Sequence, residues 1–166
     1  IVSLATVDVL NRYATGFSIK WPNDIYWHDK KIAGILIENV LSGSTFSRAI
    51  IGMGLNINQK NFYSDAPNPV SLHQITGHTY KIEKILDEFT EALGKRYTDT
   101  FTNSSDRIHK EYIAALYRND GVYPFYSDGN IFHASIADVE LDGHLLLLTE
   151  SGEKKRFAFK EVSFLL

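Results

Sequence analysis

A chain of 166 residues with 44% hydrophobic content can bury one substantial core and carry a small satellite module. Its net charge of -3 gives no general attraction to phosphate backbones, and no local basic patch argues for nucleic-acid binding. The lack of cysteine excludes disulfide scaffolds, thiolate nucleophiles and cysteine-ligated zinc, and no apolar run approaches the ~18 residues of a membrane span. A cytoplasmic setting away from membranes is therefore expected.

The chain opens on Ile1 with neither an initiator methionine nor a basic signal region, so it is expected to begin mid-protein. Ile1, Leu4, Ala5, Val7 and Leu10 recur at helical spacing and predict a helix to about Ala14, with Gly16 as its left-handed stop. Phe17 to Trp21 has strand composition, ended by Pro22-Asn23-Asp24. Ile25-Tyr26-Trp27 is expected to turn at His28-Asp29-Lys30 and pair with Ile32 onward. Two further strands, Lys31 to Glu38 and Arg48 to Ile57, flank a hairpin connection at residues 41–45.

Asn61 to Tyr80 reads as a surface loop with a short turn near Val70 to Ile75. Ile82, Ile85, Leu86, Phe89, Leu93 and Tyr97 form one helical stripe. Ile108, Tyr112, Ile113 and Leu116 form another after a capping Ser104-Ser105-Asp106. From Gly121 the chain changes to short strands punctuated by Asp128-Gly129, Asp142-Gly143 and Ser151-Gly152, which predicts a compact all-β tail.

Strand alternation puts Ile51, Met53, Leu55 and Ile57 on one face of the fourth strand and Gly52, Gly54, Asn56 and Asn58 on the other. Glycines weaken a strand interior unless a ligand or another backbone comes close, and Gly34 repeats the pattern one strand earlier. The bare face could be a floor for a flat ligand, or the glycines could relieve crowding between sheet and helix. Lys20, Asp24 and Lys31 should converge at one end of this sheet, and two cations beside a carboxylate suit phosphoryl chemistry. As a bland alternative, they are solvated turn charges. The six histidines, His28, His73, His78, His109, His133 and His144, lack metal-ligand spacing, and Glu153-Lys154-Lys155-Arg156 reads as a solvated hairpin.

Three segments carry a resemblance. Lys20-Trp21-Pro22-Asn23-Asp24, Lys31-Ile32-Ala33-Gly34-Ile35-Leu36-Ile37-Glu38 and Gly52-Met53-Gly54-Leu55-Asn56-Ile57-Asn58 resemble, in order and spacing, motifs of the biotin protein ligase family. The resemblance implies an α+β fold, with a mixed or antiparallel sheet packed against helices, partial here, over residues 1–118. A small SH3-like barrel would follow over residues 119–166.

It further implies an ATP-dependent enzyme that forms biotinyl-adenylate and passes biotin to a lysine of a biotin carboxyl carrier protein, as in acetyl-CoA carboxylase. ATP and biotin would be substrates and Mg2+ the accompanying metal. Lys31 matches the catalytic lysine that contacts biotin and phosphate. Asp24 matches an acidic position linked to metal or to the incoming amine. Lys20, Asn23, Asp24 and Asn56 match ATP positions, with Asp24 and Asn56 also candidate metal ligands. Gly34, Leu36, Gly52 and Gly54 would line the biotin floor.

The family's Gly-Arg-rich loop has no counterpart in this sequence, so the chain is expected to be a fragment that does not act alone. The DNA-binding domain fused to some family members has none either, so no repressor function is expected. A lipoate ligase-like or octanoyl transferase-like protein, and a non-catalytic binding module, are the alternatives, and an exposed sheet edge offers a route to a homodimer.

Overall fold

The computed structural model describes residues 1–42, 45–63, 68–102 and 105–165. The chain divides into two compact units, Ile1–Ser104 and Ser105–Leu166. Both are built from antiparallel sheets and helices, an α+β architecture.

The first unit opens with α1 (Val2–Leu10). Nearly every side chain of α1 is buried, as expected of a helix that is apolar all round and covered on opposite sides. It lies against β1, β2 and α3. The helix stops four residues before the expected Ala14, because Arg12 and Tyr13 bond back only three residues, to Val9 and Leu10. Gly16, at φ +96°, turns the chain into the sheet.

That sheet has the order β1 (Phe17–Lys20), β2 (Asp24–Trp27), β3 (Lys30–Ser42), β4 (Thr45–Leu55), all antiparallel. The turn at His28 is as the sequence predicts, with Trp27 opposite Lys30. β3 and β4 extend further toward their connection than composition suggests, and part of that connection, residues 43–44, lies outside the described residues. The Trp21–Pro22 peptide bond is cis.

Within the predicted loop, α2 (Leu72–Thr76) is held by a capping box, in which Ser71 and Gln74 exchange side-chain and backbone bonds. α3 (Ile82–Thr102) is amphipathic, but its buried line is rotated from the expected stripe. Ile85 and Ala92 are buried, whereas Ile82, Leu86 and Tyr97 are each 57% exposed. Polar anchors set that rotation. Arg96 makes a two-pronged pair with Asp8 of α1, through Nε at 2.7 Å and Nη2 at 2.9 Å, and Glu88 accepts the Tyr13 hydroxyl at 3.0 Å.

The second unit begins with α4 (Ser105–Ala114), and Ser104 of its expected cap lies outside the described residues. A five-stranded antiparallel sheet follows, in the order β8 (Lys154–Phe157), β7 (Leu145–Thr149), β6 (Asn130–Val139), β5 (Tyr123–Ser127), β9 (Ser163–Phe164). Asp128 and Gly129 both take positive φ, 49° and 80°, in a two-residue turn that matches strand twist. Phe125, Leu145, Leu147 and Phe157 form its core. No helix among the described residues is long and apolar enough to cross a membrane.

Candidate active site

The β3–β4 ladder places Gly34 opposite Gly54 and Leu36 opposite Gly52. These four share one face. The other face carries Ala33 with Leu55 and Ile35 with Met53, and it meets α1, where the Thr6 hydroxyl lies 3.4 Å from the Met53 sulfur. A Cβ built on Gly52 or Gly54 would meet no described atom within 4 Å. Relief of crowding therefore does not explain these two glycines. They leave an open, exposed floor beside the exposed Leu36.

At the end of that floor, Lys20 is opposite Asp24, Asp24 opposite Gly34, and Gly34 opposite Gly54. One cross-strand row thus runs from a cation through a carboxylate to two bare positions. Lys31 joins it through an irregularity. Ile25 pairs with Ala33 but Tyr26 pairs with Lys31, so Ile32 is an extra residue on β3. Such a bulge re-aims the side chains beyond it. Simple alternation would send Lys31 to the face opposite Gly34. Instead its ammonium lies 2.7 Å from the Asp24 carboxylate, with both side chains about a third exposed at 34% and 30%.

Gly34 makes room for this pair: a Cβ there would come within 3.3 Å of Asp24 Oδ1 and of Lys31 Cε and Nζ. Lys20 donates to the Tyr26 hydroxyl at 3.1 Å, with its ammonium 4.6 Å from the ring centroid. Burial, then the Asp24 charge, pushes the Tyr26 phenol pKa up, so the hydroxyl stays protonated at neutral pH.

The two asparagines are turned into the fold. The Asn23 side chain donates to the Ile35 carbonyl, and the Asn23 backbone carbonyl accepts from Ile35 N–H at 3.1 Å. The Asn56 side chain donates to the Val70 carbonyl at 3.2 Å. Trp21 is buried.

Sequence reasoning brought Lys20, Asp24 and Lys31 to one end of the sheet, where the structure has them, but missed two features: Tyr26 as the partner of Lys20, and a segment, residues 68–70, bonded along Lys31. The Ser71-x-x-Gln74 capping pattern was the available signal for the last of these.

Elsewhere, folding gathers Glu140, Asp142 and His144 within metal-ligating distance of one another. The Arg156 guanidinium bonds to all three, so the group is a surface ion-pair network already holding its own cation. Cavities of about 420 and 690 Å³ in the second unit are lined by this arginine and its neighbours.

The fold matches solved biotin protein ligases. The apo enzyme of Aquifex aeolicus superposes with a TM-score of 0.75 at 22% identity, covering 99% of this chain and 72% of that one. The same enzyme in complex with biotin and ATP gives 0.75 at 22%, covering 98% and 68%. This likeness defines the class, an α+β fold of the biotin protein ligase type.

Residues 1–56 match the Biotin/lipoate A/B protein ligase family. The bifunctional ligase/repressor BirA of Bacillus subtilis (strain 168) is 30% identical over 146 residues, which cover 84% of this chain and 44% of that protein. The biotin--[acetyl-CoA-carboxylase] ligase of Paracoccus denitrificans is 30% identical over 125 residues, covering 71% and 52%. The chain spans about half the length of these curated relatives. The chain is thus similar to the biotin/lipoate A/B protein ligase family over residues 1–56, and to a biotin--[acetyl-CoA-carboxylase] ligase over a longer stretch.

Proposed function

We propose that this chain carries the acid-and-nucleotide site of an ATP-dependent biotin protein ligase, acting in the cytoplasm on a biotin carboxyl carrier protein. The observation that carries this reading is the row Lys20–Asp24–Gly34–Gly54, with Lys31 brought onto it by the bulge. A flat acid can lie over Gly34, Gly52 and Gly54 beside Leu36, with its carboxylate toward Lys31. Residues 1–118 then form the catalytic portion and 119–166 an SH3-like module, for which the order β8-β7-β6-β5-β9 is the support.

In the first step a biotin carboxylate oxygen attacks the α-phosphorus of ATP, forming the acyl–phosphate bond and releasing pyrophosphate. The Lys31 ammonium offsets the negative charge on both reacting groups, and Lys20 faces the nucleotide phosphates. In the second step a carrier lysine amine attacks the acyl carbon, the C–N bond forms and AMP leaves with the former bonding pair. Asp24 takes the proton lost by the amine.

Mg2+ is commonly held by one or two carboxylates plus substrate phosphates. Asp24 is a fitting rim ligand for it. The amide nitrogens of Asn23 and Asn56 donate inward to the Ile35 and Val70 carbonyls and hold the two ends of the site in shape, and both residues are kept as ATP positions, with Asn56 a second candidate Mg2+ ligand. Among the described residues β4 is one of the two edge strands of its sheet, and antiparallel pairing of two such edges is a route to a homodimer.

The Paracoccus denitrificans relative is by name a biotin--[acetyl-CoA-carboxylase] ligase, which favours this reading over a lipoate ligase-like one. Incubating the full-length polypeptide with ATP, biotin and an apo carrier domain tests it. Biotin transfer lost in Lys31→Ala is the expected result; a wild type that transfers nothing would leave the binding-module alternative.

A further inference from the structure

We propose that Tyr26 is a positioning residue, a neutral holder that fixes the Lys20 ammonium at the rim of the floor, toward the nucleotide phosphates. This rests on the function proposed above and concerns how one of its two cations is aimed. Lys20 is the last residue of β1, and its side chain is a flexible stem ending in a compact charge. Such a charge stays at one point only if something rigid holds it. Tyr26 offers two contacts from one side chain: its hydroxyl accepts from Lys20 Nζ at 3.1 Å, and the same nitrogen lies 4.6 Å from the ring centroid, within cation–π range.

The sheet register makes this meeting possible. Lys20 is opposite Asp24 and Ser18 is opposite Tyr26, so Lys20 and Tyr26 are diagonal neighbours on one face. Diagonal pairs lie about 7–8 Å apart, within reach of an aromatic ring and a long stem. Tyr26 itself is firmly seated. It is 3% exposed, and its strand, β2, is bonded to β1 on one side and to β3 on the other, where Lys31 is its cross-strand partner. The phenol thus stands between the two cations of the site.

The chemistry of the holder matters as much as its place. Lys31 is held by the Asp24 carboxylate, which offsets its charge. A phenol fixes an ammonium without adding negative charge beside an anionic substrate. Burial, and then the Asp24 charge, push the Tyr26 pKa up, which keeps the holder protonated and neutral.

The test is a mutant cycle in the full-length protein: Tyr26→Phe, which removes the hydroxyl and keeps the ring, Lys20→Ala, and both together. Tyr26→Phe should lower kcat/KM for ATP in adenylate formation about tenfold, as expected for a lost hydrogen bond to a charged group, with the KM for biotin within about twofold. In the Lys20→Ala background the same change should cost less than about twofold, because the ammonium it held is gone. Tyr26→Leu, which also removes the ring face, should lose roughly a further two- to fivefold. Magnetic relaxation of the ammonium nitrogens should show Lys20 more restrained in wild type than Lys30, which is exposed at the start of β3, and Tyr26→Phe should loosen it.

Equal losses from Tyr26→Phe with and without Lys20 would overturn the inference and leave Tyr26 a packing residue. So would an unchanged kcat/KM in Tyr26→Phe, or a wild-type Lys20 ammonium as mobile as that of Lys30. Should the variants not fold, the wild-type relaxation decides. A wild type that forms no adenylate sinks the proposed function instead, and the relaxation comparison still judges the hold on Lys20.

Discussion

Replacing Gly54 by alanine sets the two explanations of the bare sheet face against each other. A strand glycine costs about 0.5–1 kcal/mol relative to alanine. The added Cβ meets no described atom within 4 Å, so nothing in the fold offsets that gain. The first unit, 104 residues long, should then melt roughly 2–8 °C higher, at about 4–8 °C per kcal/mol.

A ligand lying on the floor meets the same methyl group as an obstruction. Overpacking of this kind costs about 1–3 kcal/mol, which is a roughly 5- to 150-fold loss of affinity. The two assays, thermal unfolding by circular dichroism and calorimetric titration with biotin on the full-length protein, should thus move in opposite directions. A melting temperature that falls by several degrees would show that Gly54 relieves crowding. Unchanged biotin affinity would show that this face is not the floor.

Lys31→Ala should lower adenylate formation by about 10²–10³-fold, the usual effect of losing one positioned charge donor, while Asp24→Asn should spare adenylate formation more than the transfer to carrier lysine, as single-turnover kinetics can separate. Ser71→Ala removes a fully buried hydroxyl that caps α2 and donates to Gln59 O at 2.5 Å; a loss of about 1–3 kcal/mol in urea unfolding is expected.

Two tyrosines set an alkaline limit: Tyr13 is pushed up to about 12 by burial and then by its bond to Glu88, and Tyr112 to about 12 by burial. Because the folded values lie above that of an unfolded phenol, near 10, their contribution is intact below about pH 10 and is lost as pH rises toward 12. Ultraviolet difference titration at 295 nm of Tyr13→Phe against wild type should show one late-titrating phenol fewer.

Much of this chain is decided locally, and those parts are legible in the sequence. Asp128-Gly129 turns where it must because few residues tolerate two successive positive φ values. The period of two sorts Gly52 and Gly54 from Ile51 and Met53 without reference to anything distant. The three motifs from Lys20 to Asn58 carry the family resemblance in order and spacing.

Tertiary structure decided what depends on partners far along the chain. The face of α3 that is buried follows Asp8 and Glu88, whose pairs with Arg96 and Tyr13 span 88 and 75 residues, so apolar periodicity alone mislocates it. Asn23 and Asn56 look like ligand-facing polar groups in a motif, yet each donates inward to a carbonyl 12 or 14 residues away. Lys31 is the clearest case. Alternation alone would send it from the Gly34 face, and only the extra residue Ile32, a register effect between two strands, delivers its ammonium to Asp24. Residue types and spacing named the groups; long-range pairing settled which of them meet.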